Sequence, residues 1–386
     1  MKRINSIDIV RGIVMIIMAL DHVRDLMHIN AGTQSPTDLA TTTPALFFTR
    51  WITYLCAPAF VFLAGTSAYL SAQKNNDIAA TRRFLVSRGI YLVLLDLIVV
   101  GFLLFFDPGY HTILFEVIAA IGVGFILLGV CLRVKSRTLG IVGLIIICLH
   151  QLSSFLPVTG NPLLKNTVAL LFAPGALPFP PRVFVMAYPP IPWFGIMLVG
   201  FASGPLFLME AAKRKKLLLK TGAAALLLFV AIRMINWYGD PVAWTAQKNS
   251  LMTFLSFMNV TKYPPSFLFC LVTIGILFFM LALAERLPAI VIKITSVYGK
   301  VPLFYFLAHF LLIHLLMVGL MFLQGFHWAD MDFASGNFGR PKNSPSGLSL
   351  GPVYLVWLGV VVLMYKPCQG YGRYKANHAH SWLKYL

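Results

Sequence analysis

Long apolar runs repeat along the chain, separated by short polar or basic connections. A helix needs roughly 20 mainly apolar residues to cross the hydrocarbon core of a bilayer. Ten runs reach that length or come close to it, and the last of them is the shortest. The pattern predicts an all-α transmembrane bundle, with spans at residues 8–28, 45–71, 84–106, 113–131, 139–156, 189–209, 218–238, 266–284, 301–322 and 351–365.

Lysine and arginine residues are concentrated in every second connection. Of the 31 Lys and Arg residues, 21 lie in the amino terminus, in residues 72–88, 132–138, 210–220 and 285–300, and in the tail after residue 365. Only 6 lie in the alternate connections, which are residues 29–44, 107–112, 157–188, 239–265 and 323–350. Basic loops are retained in the cytoplasm, so the alternation predicts an even number of spans with both termini cytoplasmic.

The composition agrees with a membrane protein and argues against other classes. Hydrophobic residues make up 59% of the chain, charged residues 11%, and the mean hydropathy is +0.80, far above that of a soluble domain. The net charge of +18 is spread over membrane loops, so it does not indicate a nucleic-acid partner. The five cysteines form no CxxC pair, so we predict neither a disulfide framework nor a metal site.

The first apolar run is predicted to be a retained helix. Only Lys2 and Arg3 precede it, it contains Arg11, and it has no small-residue cleavage site of the kind that ends a signal peptide. No soluble segment interrupts the later runs. We therefore expect residues 1–386 to form a single transmembrane domain.

This first helix contains ionisable side chains, which are costly inside a membrane and usually functional there. Arg11 and His22 are separated by ten residues, which places them about 20° apart around the helix and about 16 Å apart along it. Asp8, one turn before Arg11, is expected to pair with the guanidinium. Asp25, one turn after His22, can reach the imidazole and fix its tautomer, whereas Asp21 points elsewhere.

Two interpretations of this helix face remain. Buried polar groups can simply hold helices together by hydrogen bonding. Alternatively, a cation near the inner surface and a titratable ring near the outer surface, with carboxylates clustered around them, can form a catalytic site. The shared face of Arg11 and His22 favours the catalytic interpretation.

Further ionisable residues are candidates for the same site. Asp96 lies in the middle of the third span, and Glu116 lies at the outer start of the fourth. Lys262 and Tyr263 lie in an outer loop that two prolines stiffen, where Lys262 can bind an acceptor or polarise a carbonyl. Arg50, near an outer span end, is expected to anchor its helix rather than to catalyse.

His309 and His314 occupy one predicted helix but do not share a face. Five positions separate them, which corresponds to about 140° around the helix. We therefore predict that they pack against neighbouring helices or support other groups, and that they do not form a ligand pair.

Four stretches resemble a known family. They read "RINSIDIVRGIVMIIMALDH", "RWITYLCAPAFVFLAGTSAYL", "YPPIPWFGIMLVG", which contains Trp193, and "TKYPPS". The chain resembles the bacterial branch of the heparan-α-glucosaminide N-acetyltransferase-like membrane proteins over nearly its whole length. The Arg11 to His22 spacing also resembles that of membrane acyltransferases that act on surface polysaccharides.

The resemblance implies a function and an essential histidine near the outer end of the first helix, and the other roles follow from the positions of the residues. It implies an acyltransferase of the bacterial plasma membrane that moves an acetyl group from cytoplasmic acetyl-CoA to a sugar or glycan at the opposite face, without a metal. Arg11 and Asp8 would bind the donor. The catalytic group would be His22 with Asp21 and Asp25, and His28 in the following loop is a second candidate. Acceptor-binding residues would be Asp96, Glu116, Trp193, Lys262 and Tyr263.

Several alternatives stay open at the level of the sequence. A multi-pass transporter or flippase would also contain buried charges and proline-broken spans, although no matching pair of broken helices is present in two halves. A third hypothesis is that the chain is a noncatalytic sensor or assembly protein. Direct transfer and an acyl-histidine intermediate both fit the residues, and a homo-oligomer is compatible with them.

Overall fold

A computed structural model describes residues 5–29, 31–75, 77–155, 162–342 and 344–378, together with residues 380, 383 and 385. Lys2, Arg3 and the predicted end of the fifth span at residue 156 lie outside the described residues. The first helices are α1 (Asn5–Met27), α2 (Pro44–Thr53), α3 (Cys56–Asn75), α4 (Ile78–Leu95), α5 (Gly101–Phe105), α6 (Val117–Cys131), α7 (Ser136–Leu149) and α8 (Pro162–Phe172). They are followed by α9 (Pro190–Ala202), α10 (Ala211–Ile235), α11 (Ser250–Met258), α12 (Phe267–Leu283), α13 (Ala289–Gly299), α14 (Pro302–Leu323) and α15 (Leu350–Asn377).

The predicted all-α membrane class is confirmed. Within the described ranges, eight helical segments are long and apolar enough to cross a membrane, and α6 and α13 are shorter apolar helices. Three strands in the described residues form a small sheet, namely β1 (Thr112–Phe115), β2 (Gly175–Phe179) and β3 (Arg182–Met186), in the order β1-β3-β2. Strand β3 runs parallel to β1 and antiparallel to β2.

The second predicted span is broken rather than continuous. Helix α2 ends at Thr53 and α3 begins at Cys56, so Tyr54 and Leu55 separate them. Pro58 supplies the reason, because it has no N–H to donate to the carbonyl of Tyr54 and its ring clashes with that carbonyl. Arg50 of α2 contacts Asp21 of α1.

Two further boundaries differ from the prediction. Residues 285–300 were expected to form a connection, but they contain α13, which packs along α1. The last span was expected to end at residue 365, whereas α15 continues to Asn377. Helix α4 also continues through a π-helical turn at Asp96–Val100 into α5, so Asp96 lies where the helix is locally widened.

Helix α1 lies at the centre of the bundle. It packs against α2, α3, α12, α13, α14 and α15. Apolar residues on every side of it are buried, including Ile9, Val10, Val14 and Val23. A helix whose apolar residues are buried on every side lies inside the protein rather than on its surface.

The contact between α1 and α13 depends on two glycines. A β-carbon on Gly12 would lie 1.8 Å from the carbonyl oxygen of Thr295, and one on Gly299 would lie 1.8 Å from the carbonyl oxygen of Asp8. Small residues allow helix backbones to approach this closely in membranes. These two positions therefore set the distance between the helices.

The substitution Gly12→Ala tests this contact. We expect it to lower the stability of the protein by about 1–3 kcal/mol, because the added methyl group meets a backbone that cannot move aside locally. Thermal unfolding in detergent measures the change. Gly359→Ala on α15 is the matched control, since a β-carbon there meets nothing within 4 Å. Equal melting temperatures for the two variants would contradict the close contact.

Candidate active site

A cavity of about 540 Å³ lies at the end of α1 that contains His22. We call it the His22 cavity. Its walls come from α1, α2, α14, the sheet, and the loop between α11 and α12. Its charged and hydrogen-bonding side chains include Asp21, His22, Asp25, Arg50, Glu116, Tyr188, Lys262 and Tyr263. Most of the residues predicted for the site from the sequence thus line one cavity.

His22 is held by another histidine. Its Nδ1 lies 2.7 Å from Nε2 of His309, and Nδ1 of His309 lies 2.8 Å from the carbonyl oxygen of Tyr305. The expected pairing of His22 with Asp25 is therefore wrong, because Asp25 instead accepts a hydrogen bond from Arg24 at 2.7 Å. His309 lies 287 positions away from His22, so no local spacing in the sequence could have paired them.

A buried ion cluster forms one wall of the His22 cavity. Asp21 accepts hydrogen bonds from Arg24 at 2.6 Å, from Arg50 at 2.6 Å and from Thr53 at 2.9 Å. Arg24 and Thr53 are fully buried. Arg50, which was expected to anchor its helix rather than to catalyse, places its guanidinium against Asp21 in the cavity wall.

Lys262 extends into the cavity from the loop between α11 and α12, and only 6% of it is exposed. Its Nζ lies 4.9 Å from the centre of the Tyr263 ring and 5.9 Å from that of Tyr188, which favours a cation at this place. Burial opposes the charge, but the neighbouring Tyr263 and Asp21 raise the pKa of Lys262 above its ordinary value. Lys262 is therefore an ammonium donor in this wall.

The same loop is fixed by a carboxylate from outside the cavity. Asp240 accepts hydrogen bonds from the backbone N–H of Thr261 at 2.8 Å and from the hydroxyl of Ser266 at 2.6 Å. These two contacts flank Lys262 on both sides in the sequence. The position of the ammonium thus depends on Asp240, which the sequence alone did not single out.

Glu116 and Asp96 are adjacent but have different surroundings. Glu116 precedes α6 and lines the His22 cavity. Asp96 is fully buried and accepts a hydrogen bond from the backbone N–H of Glu116 at 2.8 Å. Asp96 does not line the cavity, so the structure places it behind Glu116 rather than against an acceptor.

Two other predicted site residues also lie outside the cavity walls. Trp193 is fully buried and packs on Tyr188, with ring centres 4.9 Å apart. His28 is buried, and its carbonyl oxygen accepts a hydrogen bond from Arg340 at 2.9 Å. Of the two histidines considered from the sequence, only His22 lines the His22 cavity.

A second cavity of about 330 Å³ lies beside Arg11, and we call it the Arg11 cavity. Arg11 lies 3.9 Å from Asp8 and donates hydrogen bonds to the hydroxyl of Ser67 and the carbonyl oxygen of Leu63. Arg88 and Ser71 also line this cavity. Phe60, Val117 and Phe306 line both cavities, so these three side chains form their common boundary.

A third cavity of about 360 Å³ adjoins the His22 cavity on its other side. The two share Asp25, Arg50, Lys262 and Tyr263. The remaining walls of this third cavity, which we call the polar vestibule, include Ser35, Thr37, Asn259 and Thr261. Their hydroxyl and amide groups can both donate and accept hydrogen bonds.

Comparison with known families identifies the family of the chain. The family model described as heparan-alpha-glucosaminide N-acetyltransferase, catalytic, matches residues 3–238, more than half of the chain. The chain belongs to this family. The resemblance expected from the sequence motifs is thereby confirmed, and membership of the heparan-α-glucosaminide N-acetyltransferase family supports a membrane acetyltransferase.

The family match has clear limits along the chain. It includes Arg11, His22 and Glu116, whereas Lys262 and His309 lie beyond residue 238. No curated protein matches the chain. Support for Lys262 and His309 as parts of the site therefore comes from their contacts in the structure and not from the family match.

The ion cluster makes a testable contribution to stability. We expect Asp21→Asn to lower the free energy of unfolding by about 3 kcal/mol, because it leaves the buried guanidinium groups of Arg24 and Arg50 without their shared carboxylate. Thermal unfolding in detergent measures this loss. Glu285→Gln is the control, since Glu285 is 47% exposed and its contact with Arg214 is 3.8 Å long. An exposed pair contributes at most about 1 kcal/mol, so equal losses would contradict the prediction.

Proposed function

We propose that this protein transfers an acetyl group from cytoplasmic acetyl-CoA to a sugar or glycan acceptor at the opposite face of a bacterial plasma membrane. One observation carries the proposal, namely that the Arg11 cavity and the His22 cavity meet at Phe60, Val117 and Phe306. Acetyl-CoA has a charged nucleotide end and a long thin arm that ends in the thioester. A molecule of that shape can contact both cavities at once.

The Arg11 cavity suits the phosphate-bearing end of the donor. Arg11 and Arg88 both line it, and guanidinium groups form strong charge-assisted hydrogen bonds to phosphate. The excess of Lys and Arg in every second loop supports placing this end of α1 at the cytoplasmic face. The donor would then enter from the cytoplasm with its thioester toward His22.

His22 suits the chemical step. As a neutral imidazole it can take the proton of an acceptor hydroxyl or amine while that group attacks the thioester carbonyl. The new bond to the acetyl carbon forms as the carbon–sulfur bond breaks, and the coenzyme A thiolate then takes up the proton. The ammonium of Lys262 can stabilise negative charge on the carbonyl oxygen during this step.

The polar vestibule suits the acceptor. It joins the His22 cavity at Asp25, Arg50, Lys262 and Tyr263. Ser35, Thr37, Asn259 and Thr261 line part of the remaining wall, and their hydroxyl and amide groups match the donors and acceptors of a sugar. An acceptor held there would reach the thioester from the side opposite to the Arg11 cavity.

Substitution of His22 tests the chemical step. We expect His22→Ala to reduce acetyl transfer from acetyl-CoA to glucosamine by at least about 100-fold, since general base catalysis contributes on that order. Binding of coenzyme A and the melting temperature should stay at wild-type values. His378→Ala is the control, because His378 is exposed at the end of α15. Full activity of His22→Ala would remove His22 from the proposed role.

Substitution of Arg11 tests the donor site. We expect Arg11→Ala to raise the Kd for coenzyme A about tenfold, because one charge-assisted hydrogen bond contributes about 1.5 kcal/mol. Calorimetric titration measures the Kd, and Arg137→Ala on an exposed helix turn is the control. Acetyl-pantetheine, which lacks the nucleotide phosphates, should bind the wild type and Arg11→Ala equally. An unchanged affinity for coenzyme A would contradict this donor site.

A further inference from the structure

A buried chain of hydrogen bonds connects the backbone of α14 to His22. The carbonyl oxygen of Tyr305 lies 2.8 Å from Nδ1 of His309, and Nε2 of His309 lies 2.7 Å from Nδ1 of His22. His309 is 0% exposed. Both of its ring nitrogens are therefore engaged inside the bundle.

The carbonyl at the start of this chain determines where the protons are. A carbonyl oxygen can only accept, so Nδ1 of His309 must carry a hydrogen and donate it. In a neutral His309 ring, Nε2 is then an acceptor, and Nδ1 of His22 must be the donor. The lone pair of His22 is left on Nε2.

The surroundings of His309 favour its neutral form. Its ring stacks on Tyr305 with a centre distance of 4.9 Å, and Phe306 and Phe310 lie against it at 5.9 and 5.0 Å. Within the described part of the chain, its hydrogen bonds go to a carbonyl oxygen and to His22, and not to a carboxylate. A buried imidazolium without a carboxylate partner would be costly.

The carboxylates near His22 are engaged elsewhere. Asp21 accepts from Arg24, Arg50 and Thr53, and Asp25 accepts from Arg24. Within the described residues, neither carboxylate accepts a hydrogen bond from the imidazole of His22. Phe310 stacks on the His22 ring at a centre distance of 4.0 Å and fixes its plane.

We infer that His309 is a positioning residue that holds the proton of His22 on Nδ1 and thereby presents the lone pair of Nε2 to the His22 cavity. The inference rests on the proposed function, because Nε2 is the atom that would take the proton of the acceptor. His309 lies beyond residue 238, so the family match does not include it.

The tautomer can be measured without any acetyl transfer. Nitrogen NMR of protein labelled with 15N-histidine distinguishes protonated from bare ring nitrogens, and the spectrum of His22→Gln identifies the His22 signals. We expect Nδ1 of His22 to carry the proton and Nε2 to be bare in the wild type. A proton on Nε2 would overturn the inference, whatever the activity of the enzyme.

Two variants of His309 separate positioning from packing. In His309→Gln, the side-chain carbonyl oxygen lies about as far from the backbone as Nε2 of His309 does, so it can accept the hydrogen bond from Nδ1 of His22. The side chain of His309→Asn is one methylene shorter and does not reach this position. We expect His309→Asn to lower kcat for acetyl transfer to glucosamine on the order of 100-fold with little change in the KM for acetyl-CoA. His309→Gln should recover to within about tenfold of the wild type, at a melting temperature equal to that of His309→Asn.

The outcomes of this comparison are distinct. Equal activity of the two variants, whether both are wild-type or both are equally impaired, would overturn the positioning role. An inactive wild type with the expected tautomer would reject the proposed function while leaving the proton arrangement established. An active wild type, with activity recovered in His309→Gln but not in His309→Asn, would support both the proposed function and the positioning role of His309.

Discussion

Helix α1 carries charge through the middle of the protein, and this constrains the rest of the bundle. Charged side chains inside a membrane are tolerated where they face protein or a polar cavity and pair with one another. Helix α1 contains Asp8, Arg11, Asp21, Arg24 and Asp25. Accordingly, six other helices pack around it, and its two polar ends each open into a cavity rather than toward lipid.

The close packing of α1 and the presence of cavities beside it have a common origin. On one side, Gly12 and Gly299 let α13 approach until backbones touch, which excludes any space there. Elsewhere around α1, the bulky residues Phe60 and Phe306 line both cavities. Side-chain size therefore differs between the face of α1 that packs tightly on α13 and the face beside the cavities.

The His22 cavity combines groups of opposite electrostatic character at short range. Asp21 and Asp25 pair with Arg24 and Arg50 in one wall, while the ammonium of Lys262 lies over the rings of Tyr188 and Tyr263. The imidazole of His22, in contrast, is bound to another histidine and packed on aromatic rings. In the proposed reaction, His22 would act as the neutral base and Lys262 as the cation that stabilises charge on the attacked carbonyl group.

The sequence by itself determined the membrane class and most of the helices, because hydropathy and helical periodicity act over short distances along the chain. The break before Pro58, the helix α13 and the small sheet were missed, since each depends on a local backbone constraint or on partners elsewhere. Only the tertiary structure decided that Arg50 pairs with Asp21 and that His309 holds His22. Contacts between residues distant in sequence leave no period in the chain, so they become visible only when the helices have packed.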